Sequence, residues 1–162
     1  MEHLNAGART RILGILRLGR DMTLATVRPD GFPQATTVSY VHDGLAIYVS
    51  IGLGSQKAEN IQHSNKVSAT INLDYADWNH IKGISFGGFA EFVDGTEQVE
   101  HVAQRFLQKF PDAKEFVQSS GSPPWQGLLF VRIRPTVISL LDYSLGFGHT
   151  ELYEVTPGAA FD

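Results

Sequence analysis

Residues 45–58 read Leu-Ala-Ile-Tyr-Val-Ser-Ile-Gly-Leu-Gly-Ser-Gln-Lys-Ala. The run Leu45 to Ser50 is rich in Ile, Tyr and Val and reads as a strand. Gly52 and Gly54 then bend the chain, and Ser55 stands where it can cap a short helix containing Ala58 and Ile61. A corner of this kind suits an anion. It combines free N–H groups at a helix start, the positive end of the helix dipole, glycines that permit close approach and the Lys57 ammonium. Together these suit a phosphate monoester, although an ordinary capped helix after a turn has the same spacing. The nucleoside-triphosphate pattern G-x-x-x-x-G-K-[ST] is not met, because Gly52 and Gly54 stand too close together and Ala58 follows Lys57.

Upstream of this corner, residues 8–18 place Ile12, Leu13 and Leu16 at helical spacing among Arg9, Arg11 and Arg17, and Gly19 ends the helix. From Met22 the texture changes to strand, with Thr23, Ala25 and Val27 opposing Leu24 and Thr26. The Pro29-Asp30-Gly31 turn and the run Gln34 to Val41 complete a hairpin, and His42-Asp43-Gly44 turns into the run at Leu45. Downstream, Lys66 to Leu73 and Ile81 to Val93 are strand-like, and Gly83, Gly87 and Gly88 predict bulges or a sharp bend in the second. Thr96 opens the clearest helix. Val99, Val102, Ala103, Phe106 and Phe110 fall on one face, Glu97, Glu100, Gln104 and Gln108 on the other, and Pro111 stops it. A helical turn at 112–118, a Ser/Pro-rich loop, strands at 128–134 and 136–143 and a tail over 144–162 complete the chain. About six strands joined by hairpins, with a few short helices, predict a mainly β fold: an antiparallel barrel with peripheral helices.

At 162 residues and 43% hydrophobic, the chain can bury one core and is expected to form a single domain. A net charge of -4 with evenly spread Lys and Arg provides no basic stripe for nucleic acid. The absence of cysteine removes disulfides, thiolate metal sites and thiol nucleophiles. With no continuous apolar signal core and no run of membrane-spanning length, a cytoplasmic location without membrane partners is expected.

Gly83-Ile-Ser-Phe-Gly87 fits G-x-S-x-G, the elbow of serine hydrolases, but the following residues continue in strand alternation where an elbow requires a helix. Ser85 therefore reads as one face of a glycine-kinked strand. The six histidines show neither H-E-x-x-H nor an i, i+4 pair, so no metal site is expected. His42, His63 and His101 read as surface residues. His149, in the Gly146–Thr150 segment, reads as a turn residue or a ligand contact, and Trp125 as a stacking platform or the filler of a core edge.

In the order hairpin, third strand, glycine-rich bend, Ser55-Gln56-Lys57-Ala58 helix, Lys66 strand and Gly88-Phe-Ala-Glu91 strand, the chain resembles the pyridoxamine-phosphate oxidase-like split barrels that bind flavin mononucleotide (FMN). The resemblance covers most of residues 10–143. It implies an antiparallel split β-barrel of the FMN-binding type, with the family's Ser-Arg-Lys-Ala motif at Ser55 to Ala58, where Arg and Lys hold the flavin phosphate. Lys57 carries over directly; Gln56 brings no charge but can still donate a hydrogen bond to the phosphate, and Lys82 is a candidate compensating cation. Ile51 stands where the family often has threonine, which leaves Ser50 or backbone N–H groups to serve. Thr36, Thr37, Val38 and Ser39 match the strand whose backbone faces the isoalloxazine ring, and Trp125 would reach the flavin across a dimer interface. True pyridoxine-phosphate oxidases resemble the chain less well. They carry a substrate-binding lysine where this chain has Val41, and their C-terminal Arg-x-His has no counterpart.

The resemblance thus implies a homodimeric FMN protein that moves hydride or electrons between a nicotinamide and a small substrate. Flavin chemistry resides in the ring, so no acid–base constellation is required of the polypeptide. Two alternatives stay open: a flavin-binding stress or sensor protein without efficient turnover, and a haem or deazaflavin binder on the same fold, with His149 as a haem contact.

Overall fold

The computed structural model describes residues 1–156 and 158. Six strands close the barrel: β2 (Asp21–Val27), β3 (Pro33–Asp43), β4 (Ala46–Gly52), β5 (Lys66–Asn72), β6 (Lys82–Phe92) and β7 (Leu128–Asp142). Their neighbour order is β7-β4-β3-β2-β5-β6, and β6 pairs back onto β7; every pairing within this ring is antiparallel. The mostly β antiparallel architecture expected from the hairpin pattern is the one observed.

The strand β7 is where the barrel splits. On one edge its first part, residues 128–133, pairs with β4, and its second part, residues 137–141, pairs with β8 (Thr150–Glu154). Between the two lies Pro135, which has no N–H to give to a ladder. On the opposite edge the register against β6 shifts between Gly87 and Gly88, so that Thr136 becomes the extra residue of a bulge, its hydroxyl donating to the Gly87 carbonyl at 3.2 Å. A Cβ on Gly88 would lie 2.2 Å from the Arg134 carbonyl oxygen, so only glycine fits there. The sequence pattern breaks at Pro135 into two runs. The chain is nevertheless one strand, because the bulge absorbs the proline.

Within the stretch read as a tail the structure places β8, which carries β1 (Glu2–His3) as a parallel neighbour. Five residues with glutamates at positions 151 and 154 produce too little apolar alternation to announce a strand.

Three helices cover the barrel. The first, α1 (Ala6–Leu18), is capped by the Asn5 side chain and buries Ile12, Ile15 and Leu16 against one barrel end, where the Tyr40 hydroxyl donates to the Leu16 carbonyl at 2.8 Å. Gly19 ends it without a side chain because a Cβ would sit 2.5 Å from that hydroxyl. The second, α2 (Gln56–His63), follows β4, and the third, α3 (Thr96–Lys109), packs outside the barrel. Its Val102, Ala103 and Phe106 meet Val41, Ala46, Tyr48 and Phe130 in a second apolar cluster, with the Phe106 and Phe130 rings stacked 5.6 Å apart. A last turn, α4 (Ala113–Val117), precedes the Ser/Pro loop. No described helix is long and apolar enough to cross a membrane.

Candidate functional site

The strand-to-helix corner forms as its sequence predicts. Ser55 is extended, with φ -76° and ψ 155°, and its hydroxyl accepts the Ala58 N–H at 3.2 Å. The Ser55 N–H returns to the Gly52 carbonyl, the Glu59 N–H reaches the Ser55 carbonyl, and the Leu53 N–H donates to Gly127 at 2.8 Å, tying the bend to the loop beyond Trp125. The N–H groups of Gln56 and Lys57 then stand without a partner among the described residues, as helix starts require of their first donors. Lys57 is half-buried, and its ammonium makes no hydrogen bond or ion pair among the described residues.

Two hydroxyls sharpen this. The Oγ of Ser50, on β4 opposite Phe130, and the Oγ1 of Thr36, on β3 opposite Leu24, are both buried and unpartnered. A buried hydroxyl without a partner costs about 1–3 kcal/mol, so such atoms mark places where a ligand or water completes the bonding. The corner thus offers two N–H donors and one ammonium, a donor set that fits a phosphate monoester, and Ser50 stands on β4 two residues before the Gly52 bend.

The remaining candidates are placed as follows. Ile51 is only 3% exposed and its side chain lies in the barrel core, so only its backbone belongs to the corner. Gln56 is committed elsewhere: its side-chain amide donates to Glu59 at 3.1 Å and to Asn60 Oδ1 at 2.9 Å. On β3, Val38 points into the core, Thr37 is exposed, and Ser39 is exposed with its hydroxyl donating to Asp21 at 3.1 Å. Lys82 pairs with Asp142 at 3.5 Å, and the register Lys82↔Asp142 against Gly52↔Leu128 sets it at the opposite end of β7 from the corner of its own chain. Trp125 rests edge-on against Phe130 with centroids 5.5 Å apart, and it holds a left-handed φ of 68°, a conformation a bulky residue seldom adopts. The Nε2 of His149 lies 2.9 Å from the accepting carboxylate of Glu151.

Asn60 is the residue that sequence patterning misses. Fully buried on α2, it donates to Thr26 Oγ1 at 2.9 Å and Gln34 Oε1 at 3.0 Å while accepting from Gln56. This relay bolts the start of α2 to β2 and β3. The lone signal was a polar residue beside Ile61 on the buried face. His42 also differs from its surface expectation: it is half-buried, its Nδ1 is 3.0 Å from the Gly44 carbonyl, and burial holds its pKa below the usual histidine value. His63 is exposed and His101 is largely so, as expected of them. Ser85 is exposed in mid-strand and pairs with Thr70 and Ser139, with no helix after it, so the hydrolase pattern has no elbow. A groove of about 960 Å³ lies between α3 and the outer faces of β4, β6 and β7, and none of the corner residues lines it.

Among known proteins, the model of the pyridoxamine 5'-phosphate oxidase family matches residues 12–141. No curated protein matches the chain. Solved structures do. A conserved hypothetical protein, Rv2991 of Mycobacterium tuberculosis, is 26% identical with a TM-score of 0.72, the match covering 98% of this chain and 97% of that one. A heme binding protein from Mycobacterium smegmatis is 20% identical with a TM-score of 0.75 over 99% of this chain, which spans 61% of that longer protein. General Stress Protein 26 from Bacillus anthracis is 19% identical, TM-score 0.65, over 90% and 97% of the two chains. The barrel that splits at β7, the helix start after β4 and the family match over most of the length agree: the chain belongs to the pyridoxamine 5'-phosphate oxidase family of split barrels.

Proposed function

We propose that the protein binds FMN as a homodimer and serves as an oxidoreductase between a reduced nicotinamide and a small substrate. The observation that carries this reading is the corner's set of unsatisfied donors: the Gln56 and Lys57 N–H groups, the Lys57 ammonium and the buried Ser50 hydroxyl. Lys57 neutralises the phosphate, and Ser50 and the helix start hydrogen-bond to it. Gln56 contributes through its backbone N–H, since its amide is held by Glu59 and Asn60. The segment Thr36 to Ser39 lines the ring edge, where the unpartnered Thr36 hydroxyl finds an acceptor. Trp125 reaches the flavin across the subunit interface, while Lys82, paired with Asp142 at the far end of β7, does not serve the corner of its own chain. When bound, the flavin ring supplies the hydride and electron chemistry.

The absorption spectrum of the protein as isolated, or after incubation with FMN, tests this reading, and flavin bands bleached by a reduced nicotinamide are expected. A Soret band would move the protein to haem, the ligand of the heme binding protein from Mycobacterium smegmatis. Bands of a deazaflavin would change the cofactor and keep the fold. Bound flavin that no nicotinamide bleaches would leave a stress or sensor protein. Sedimentation at micromolar concentration is expected to give a dimer.

A further inference from the structure

The barrel is covered unevenly. Helix α3 packs over β3, β4 and the first part of β7, and α1 closes one end. The outer face of β2, β5, β6 and the second part of β7 carries no helix, and Thr23, Ser68 and Ser85 on it are exposed. Strand register aligns a row across this face: Thr23 beside Thr70, Ser85 and Ser139. The adjoining rows pass through Ser68 and Gly87 on one side and through Asn72 and Gly83 on the other. Within these four strands none of the three rows contains an Asp, Glu, Lys, Arg or His. A solvated protein surface ordinarily intersperses charged side chains of both signs.

Gly87 sits in the middle of that face. Glycine weakens a strand interior, and it recurs where another backbone approaches closely. Nothing in the single chain requires it: beyond its chain neighbours, a Cβ at Gly87 would meet no heavy atom within 4 Å, and its φ is not left-handed. Gly88, by contrast, is demanded by the Arg134 carbonyl. At the end of the face beyond Gly83, the register pair Lys82↔Asp142 leads into two one-turn helices, Trp78–His80 and Tyr143–Leu145. There the rings of Trp78 and Phe147 stack with centroids 5.9 Å apart, yet the residues are 65% and 80% exposed. An uncharged face that ends in two exposed aromatic rings has the composition of an interaction surface.

We propose that a second copy of this chain docks on this face, the two subunits meeting about Ser85 and Gly87 with Trp78 and Phe147 as anchors at one end. The inference rests on the homodimer reading above and not on the identity of the cofactor. Docking about a twofold axis requires a self-complementary surface. Hydroxyls both donate and accept, rings pack on rings, and in these rows no charge meets its like. The size fits as well. Four strands at a spacing of about 4.8 Å and five residues at about 3.3 Å span roughly 300 Å² of sheet. The two exposed rings offer about 300 Å² more. Two such faces bury about 1,200 Å², the size at which specific, stable interfaces begin. A polyanion would find no cation in these rows to hold it.

Sedimentation velocity of the full-length protein over a concentration series gives the dimer Kd. Gly87→Glu sets a charge against its like across the twofold axis, in space that the single chain leaves open. Circular dichroism should therefore stay unchanged while Kd rises roughly tenfold or more. The double variant Trp78→Ala with Phe147→Ala, made in exposed turns, should raise Kd by a similar factor. Glu100→Arg, exposed on α3, should leave it unchanged. A parent dimer that both the Gly87 variant and the ring variant leave intact overturns the inference and spares the homodimer reading, whereas a monomeric parent overturns both. Equal dissociation by Glu100→Arg also overturns the inference, because the effect would not belong to this face. Should Gly87→Glu lose the native spectrum, the ring variant decides alone.

Discussion

At the scale of single residues, the candidate site is a matter of which polar atoms are spoken for. Lys57 has no protein partner among the described residues, whereas Gln56, its neighbour, is held by Glu59 and Asn60. Lys57→Ala should therefore weaken FMN binding by about 1.5–3 kcal/mol, the value of a hydrogen bond to a charged group, or roughly 10- to 150-fold in Kd. Fluorescence titration of FMN measures it, and an unchanged Kd would remove Lys57 from the site. Asn60→Ala strips a donor from both Thr26 and Gln34 inside the barrel mouth. A loss of about 1–3 kcal/mol in urea unfolding is expected. Ser55 and Lys57 were legible as candidates from residue type and spacing, and Ser50 only through the family resemblance. Asn60 was not, because a buried amide is recognised only by the partners that three other elements bring to it.

At the scale of elements, the amphipathic helix α3, the hairpins and the Ser55-capped α2 follow from local periodicity and turn chemistry. The unity of β7 does not. Whether Pro135 ends a strand or sits in a bulge depends on the opposite strand, where Gly88 lets the Arg134 carbonyl approach to 2.2 Å of a would-be Cβ. Gly88→Ala is accordingly expected to cost at least about 1–3 kcal/mol, the range for forcing atoms into filled space. Chemical denaturation reads this directly, and a variant as stable as the parent would show that β6 and β7 can part without penalty. The strand β8 escaped notice for a related reason: a short, charged strand is defined by the edge it completes, and that edge exists only once β4 has left β7.

At the scale of the whole molecule, one ionic cluster joins regions far apart in the chain. Glu151 of β8 accepts from Arg11 of α1, from the Tyr153 hydroxyl at 2.6 Å, and lies 2.9 Å from His149 Nε2. Its hydrogen bonds, with Arg11 first, then His149 and Tyr153, pull the carboxyl from its ordinary 4.5 down to about 2. A carboxyl whose pKa is lower when folded stabilises the fold above its unfolded value and loses that contribution as pH falls through its folded one. Stability supplied by this cluster should be intact above about pH 4.5 and fade toward about pH 2. Glu151→Gln should lower Tm at neutral pH and flatten the decline of Tm across that window. A parallel decline in variant and parent would mean that the cluster does not couple α1 to β8.

By itself the sequence determined the local grammar of this protein: where strands alternate, where α3 turns its apolar face, where Ser55 starts a helix, and, through the motif around Lys57, the family. Those features depend on residues within one or two turns of each other, so their physics is contained in a short window. Only the tertiary structure decided that β7 is shared by β4 and β8, that Lys82 stands at the far end of that strand from the corner, that Gln56 is tied to a buried Asn60, and that the polar face of α3 walls a groove. Each of these is a distance between residues remote in sequence. Such distances are set when the barrel closes and the bulge at Gly88 fixes the register, which no window of neighbouring residues contains.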